Sequence, residues 1–251
     1  MMSRNSTRPP GVGSEGKRAH TMIIAAAAGL VLASAACGDE PGEKNFEDFD
    51  GATFTDPTNV DNEWMSLKPG MRWIWEGTSV DDGEELPHRV VINVTDLTKM
   101  VGGVQSVVTW DLDYQDDELV EAEIAFFAQD DDGNVWRMGE YPEEYEEGEF
   151  ALAPTWVHGI EGAVAGISMR GDPKVGTPSY SQGWGPGVGF TDRGKVHEFV
   201  DEVCVPLDCY KNVLAIDESS LAEPDAHQFK YWAKGVGNVR VGWAGEGEKT
   251  Q

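Results

Sequence analysis

The chain has 251 residues, with 19 Lys and Arg against 45 Asp and Glu, for a formal net charge of −26. That balance argues against a nucleic-acid binder and against electrostatic adhesion to anionic lipid, since both need surplus positive charge. It is compatible with calcium, a cationic partner or a salty medium, and solubility alone also explains it.

The first element is an export segment. Arg4, Arg8, Lys17 and Arg18 precede an apolar run from Met22 to Ala36, which ends in small residues before Cys37. A positive start, an apolar middle and small residues for the peptidase are the parts of a secretory signal. The run is shorter than the roughly 20 apolar residues a spanning helix needs. Ser34-Ala35-Ala36-Cys37 resembles the lipobox of bacterial lipoproteins, with Ser34 where a Leu is usual. The resemblance implies an acylated (palmitate-bearing) Cys37 and an extracytoplasmic, membrane-anchored protein. Ordinary cleavage at Ala33-Ser34-Ala35, giving a secreted protein, is the alternative.

Removal of residues 1–36 leaves a mature chain of 215 residues, with fifteen basic and forty-four acidic side chains, a net −29. That length supports one sizeable core or two small ones. Residues 37–56 are rich in Gly, Asp, Glu and Asn and read as a flexible acidic tether. One domain is expected over 57–243, with a disordered tail over 244–251, and the whole as a monomer.

Within that domain, two-residue alternation recurs and helical periodicity is nearly absent. Met71–Trp75 and Arg89–Val94 flank the turn Asp81-Asp82-Gly83. From Val104 to Tyr114 one face is mostly large and apolar, including Val108, Trp110 and Leu112, while Asp111 and Asp113 lie on the other. In the next run Val120, Ala122, Ile124, Phe126 and Ala128 are expected to face inward, with Glu121 and Glu123 facing out. Acidic turns at Gln115–Asp117, Asp130–Gly133 and Glu146–Gly148 join consecutive strands. Pro154–Pro178 is Gly-rich and reads as a long loop or one short helix. Strands resume over Ser179–Trp184, Lys195–Val205, Asn212–Ile216, Phe229–Ala233 and Val239–Trp243. About ten strands result, which predicts an all-β antiparallel meander forming a curved sheet or incomplete barrel, because a meander this long must hide its edges.

Four segments resemble, in order, a group of exported bacterial proteins that carries no assigned activity. They are Trp64–Glu76, Asp132–Trp136, Val205–Val213 and Tyr231–Val239, against that group's PLKxGxxWxY, DGNVW, VPxGxFxNV and YYAxGVGxV patterns. The resemblance implies the β architecture and carries over no catalytic residue. Asp208 and Cys209 depart from its third pattern. In an oxidising compartment Cys204 and Cys209 are expected to form a disulfide across the turn at Pro206 and Asp208.

Candidate chemistry is sparse, and whether the protein is an enzyme stays open. His88, His158, His197 and His227 lack ligand spacing to one another. His158, with Glu161 nearby and His197 beyond, is a candidate general base or metal ligand. Asp130 and Asp132 invite a calcium reading, but Ala128 breaks the EF-hand register and a hairpin turn explains the same letters. Trp110, Trp136, Trp156 and Trp184 are candidates for lining a ligand cavity, although such aromatics also fill β cores. The expectation is a tethered, noncatalytic domain that binds a small apolar or carbohydrate ligand or an envelope partner. A surface hydrolase with a site in residues 154–197 and a structural envelope protein are the alternatives.

Overall fold

A computed structural model describes residues 46–81 and 83–243. The export segment, Cys37 and the tail after Trp243 therefore lie outside the described residues. The described residues form fourteen strands in chain order: β1 (Arg72–Asp81), β2 (Glu84–Val101), β3 (Val104–Gln115), β4 (Glu118–Gln129), β5 (Val135–Glu146), β6 (Glu149–Leu152), β7 (Trp156–Val157), β8 (Val164–Met169), β9 (Tyr180–Ser181), β10 (Gly183–Trp184), β11 (Asp192–Cys204), β12 (Cys209–Ser220), β13 (His227–Ala233) and β14 (Gly237–Trp243). Among the described residues there is no helix.

The first sheet runs β1-β2-β3-β4-β5-β8-β10, with β6 and β7 also on β5, and the second runs β14-β13-β12-β11-β9. The first sheet curls into an antiparallel half-barrel. Register shifts at Val94/Thr98, Asp113/Tyr114, Phe126/Phe127 and Val135/Trp136 supply the bends that curl it. Two-residue turns close the hairpins with both residues at positive φ: Gly102-Gly103, Asp116-Asp117 and Glu147-Gly148. That geometry matches the twist of the flanking strands.

Pro154–Pro178 contains neither the expected featureless loop nor a helix. Its β7 and β8 pair with β5 at Gly139–Glu140 and at Val135–Arg137. Gly139, at φ 149°, permits this, because a side chain there would meet the Trp156 carbonyl at 2.6 Å. The single strand expected over Ser179–Trp184 divides at Gln182. Tyr180 and Ser181 join the second sheet, and Gly183 and Trp184 join the first.

The tether also requires correction. Residues 46–56 belong to the domain: Phe49 is buried and packs on Trp136 and His158, with ring centroids 5.3 and 4.1 Å away. Thr55 donates through its amide and its hydroxyl to Asp131. This segment, with Ala52 and Phe54, covers the outer face of the half-barrel over Ala128, Trp136, Met138 and Ile167. Between the sheets at the same end, Val60, Trp64 and Leu67 plug a core of Val94, Val107, Phe127, Val135, Met169, Leu214 and Ile216.

At the opposite end the two faces are reversed from expectation. Registers Trp73↔Ile92, Ile92↔Asp111, Asp111↔Glu123 and Glu123↔Pro142 place one row on the concave face. Trp75, Val90, Asp113, Glu121 and Glu144 form the next row. Side chains alternate across a strand, so Trp110, Ile124 and Tyr141 point outward. They are 48%, 39% and 39% exposed. The acids line the inside, and the large apolar residues form the exposed convex stripe.

Candidate functional site

The concave face holds two tiers of charge. In the deeper tier Arg137 lies 3.0 Å from Glu140, and its guanidinium is 5.8 Å from the rings of both Phe127 and Phe190. From the second sheet, Lys230 pairs with Glu218 at 2.6 Å, and Gln182 Nε2 donates to Glu218 at 2.8 Å. Asp111, Glu123 and Asp192 add three further carboxyls beside these two cations. Carboxyls therefore outnumber cations in a space that excludes most water.

The consequence is a set of strongly perturbed acids. Burial pushes Asp111, Glu123 and Glu140 up to about 7 and Asp192 up to about 6, with neighbouring carboxylates adding repulsion and Arg137 opposing it. Glu218 moves the other way: Lys230 and the Gln182 amide outweigh its burial and hold it below the ordinary range. The Arg137 guanidinium is held charged by Glu140 and Glu123 against its own burial.

The outer tier opens into a cleft of about 1740 Å³ between β1–β2 on one side and β13–β14 on the other. Trp73, Trp75, Leu86, Val90 and Val241 form apolar walls, and His88, Asp113, Glu121, Gln228 and Lys230 supply polar groups. The two tryptophans are fixed by their indole N–H groups, which donate to the Val236 and Asn238 carbonyls at 2.8 and 3.1 Å. These bonds hold the open edges of the two sheets together where no backbone ladder does. His88 Nε2 and Asp113 Oδ1 are 2.7 Å apart. Glu121 is pushed up to about 9 by burial and by Glu123, Asp113, Glu140 and Glu144.

The residues singled out from sequence do not converge here. His158 accepts the Ala165 amide through Nδ1 at 3.0 Å, and burial lowers its pKa. His197 is exposed and its ring lies on Phe229 at 4.8 Å. Glu161 sits at φ 51° beside a crevice of about 100 Å³ that also touches Trp156. Among the described residues no hydrogen bond or ion pair joins these three. Trp110 stands on the convex face, Trp136 is buried with its N–H on Asp130, and Trp156 stacks on Phe190 at 4.8 Å. Trp184 pairs with Val164, away from the cleft lining. The tryptophans that line the cleft are Trp73 and Trp75.

Asp130 commits both carboxylate oxygens to Asn134 and Trp136, which is the hairpin reading of that turn. Asp132 is exposed on the same turn. Among the described residues the one grouping with metal-ligand spacing is Glu202, Cys204 and Cys209. Its two sulfurs are bonded to each other in a disulfide across the β11–β12 turn, with Cα atoms 4.0 Å apart. The bridge closes a short loop, so replacing both cysteines with serine is expected to lower stability by about 2 kcal/mol. A shifted urea midpoint at unchanged slope checks this.

What sequence reasoning missed is the acid lining itself. The available signal was the cross-strand stack of Asp111 and Asp113 with Glu121 and Glu123, four acids that solvent would tolerate but that like-charge repulsion disfavours on adjacent strands. Comparison with protein-family models, curated proteins and solved structures returned no match to this chain.

Proposed function

We propose that the protein is an extracytoplasmic lipoprotein, anchored through Cys37, whose β domain takes an amphiphilic small molecule in the cleft between its sheets. One observation carries the binding reading. The cleft has tryptophan and aliphatic walls and a few convergent polar groups, the combination that favours an organic ligand. Its volume exceeds the roughly 300–1,000 Å³ of ordinary drug-sized sites, which suits an extended ligand.

A thermal-shift series with amphiphiles of graded chain length, on the full mature chain, tests the cleft. The melting temperature should rise with chain length, and Val90→Trp, which fills the wall, should abolish the rise. A series in which no compound moves the melting temperature removes the binding reading. The anchor is tested separately by intact mass of the membrane-extracted protein. A diacylglycerol increment on Cys37 is expected, and an unmodified terminus at Ala36 would end the lipoprotein claim.

A further inference from the structure

Resting on the cleft as the ligand site, we infer that its ligand is an organic cation, with an alkylammonium-type head group between Asp113 and Glu121 and an apolar body along Trp73 and Trp75. Asp113 and Glu121 are direct cross-strand partners on the concave face. Two like carboxyls in that relation are unfavourable unless a proton or a cation lies between them. A buried amide provides an independent sign of a ligand. Asn238, 3% exposed and lining the cleft, leaves both Oδ1 and Nδ2 without a hydrogen-bond partner. Ser79 Oγ, also on the lining and 8% exposed, is unpartnered too. Buried polar atoms of this kind ordinarily have partners, so one such group on each wall, Ser79 on β1 and Asn238 on β14, points to groups completed by a bound molecule.

Charge at the mouth selects the sign of that molecule. Glu84, Asp116, Glu118, Glu146 and Glu147 stand on the hairpin turns and also line the cleft. An acidic collar around low-dielectric walls concentrates cations and repels anions. Ammonium groups also gain from tryptophan faces in a desolvated site.

Binding then moves a proton. Glu121 faces Glu123 on its own strand, Asp113 and His88 on β3 and β2, and Glu140 and Glu144 on β5, with Lys230 and Arg240 across the cleft. Without a cation it holds its proton until about pH 9. An alkylammonium keeps its charge to about pH 10, so its arrival expels the proton from Glu121. Affinity therefore rises with pH below 9, by about tenfold per unit.

The test compares octylamine with 1-octanol by titration calorimetry, on the mature chain carrying Cys37→Ser so that no lipid competes. Octylamine should bind at least tenfold tighter at pH 8 and gain about tenfold in affinity from pH 7 to pH 8. Glu121→Gln should abolish both effects, so that octylamine no longer binds more tightly than 1-octanol and its affinity no longer climbs with pH. The same variant should fold with a raised melting temperature at pH 8, since folding no longer has to restore to this side chain a proton that the unfolded chain has lost. Equal affinity for amine and alcohol overturns the cationic ligand while the cleft reading stands. Retention of the amine preference in both Glu121→Gln and Asp113→Asn overturns it as well. Failure of both probes, with Val90→Trp behaving as the parent chain, removes the cleft reading along with it.

Discussion

Raising the pH from 5 to 8.5 is expected to lower the melting temperature of the mature chain by roughly 10 °C. The cause is the enclosed acids. Asp111, Glu123 and Glu140 hold their protons to about pH 7, Asp192 to about 6 and Glu121 to about 9, all well above their ordinary values. A carboxyl raised on folding binds a proton that the unfolded chain has already lost. Its stabilising contribution is complete below its unfolded pKa and disappears as pH climbs through the folded value. Glu218 is lowered instead and contributes in the opposite sense below about pH 4.5, outside this window. Because the acids share one enclosure, their losses are not additive. A net loss on the order of 3–5 kcal/mol, at roughly 2–4 °C per kcal/mol, gives the expected change. Melting curves across this range check it, and a melting temperature that rises steadily from pH 5 to 8.5 would contradict a protonated interior.

Arg137→Met should destabilise the fold by about 3–5 kcal/mol at pH 8. The guanidinium is a cation of the first sheet in the deeper tier, bonded to Glu140 and 5.8 Å from both the Phe127 and the Phe190 ring. Its removal leaves Glu140, Glu123 and Asp192 facing one another with only Lys230 opposite, and that cation is already paired with Glu218. Met preserves most of the apolar stem, so the effect reports the lost charge rather than a cavity. The loss should shrink at pH 5, where those acids carry protons. Urea unfolding at the two pH values separates the cases: equal losses would mean that Arg137 acts by packing alone.

The two-residue period made the strands legible. Val104–Tyr114 and the run after it are strands, and the acidic turns at Asp116-Asp117 and Glu147-Gly148 fall where Asp and Gly tolerate positive φ. Short strands were not legible. β7, β9 and β10 have two residues each, too few to show a period, and exist because an edge strand already formed gives them a partner. The domain boundary was misread for a similar reason. Phe49, Ala52 and Phe54 are scattered apolar residues in a polar stretch, and only the groove beside Trp136 makes them a cover.

By itself the sequence determined the β class, the acidic hairpin turns at Asp116-Asp117 and Glu147-Gly148, the Cys204–Cys209 bridge and the division of β3 and β4 into an acidic and an apolar face. It could not determine which face is inside. Alternation has the same period whichever side is buried, so Trp110 and Ile124 inward, or Asp111 and Glu123 inward, satisfy one pattern equally well. The tertiary structure decided between them. At one end the 46–71 segment covers the convex face over Trp136, Met138 and Ile167 and plugs the interior, leaving Trp110 and Ile124 exposed, while at the other end the second sheet brings Lys230 across to meet the acids. The cost of enclosing those carboxyls is met by retained protons and by Arg137 and Lys230, and their surplus gives the cleft its acidic character.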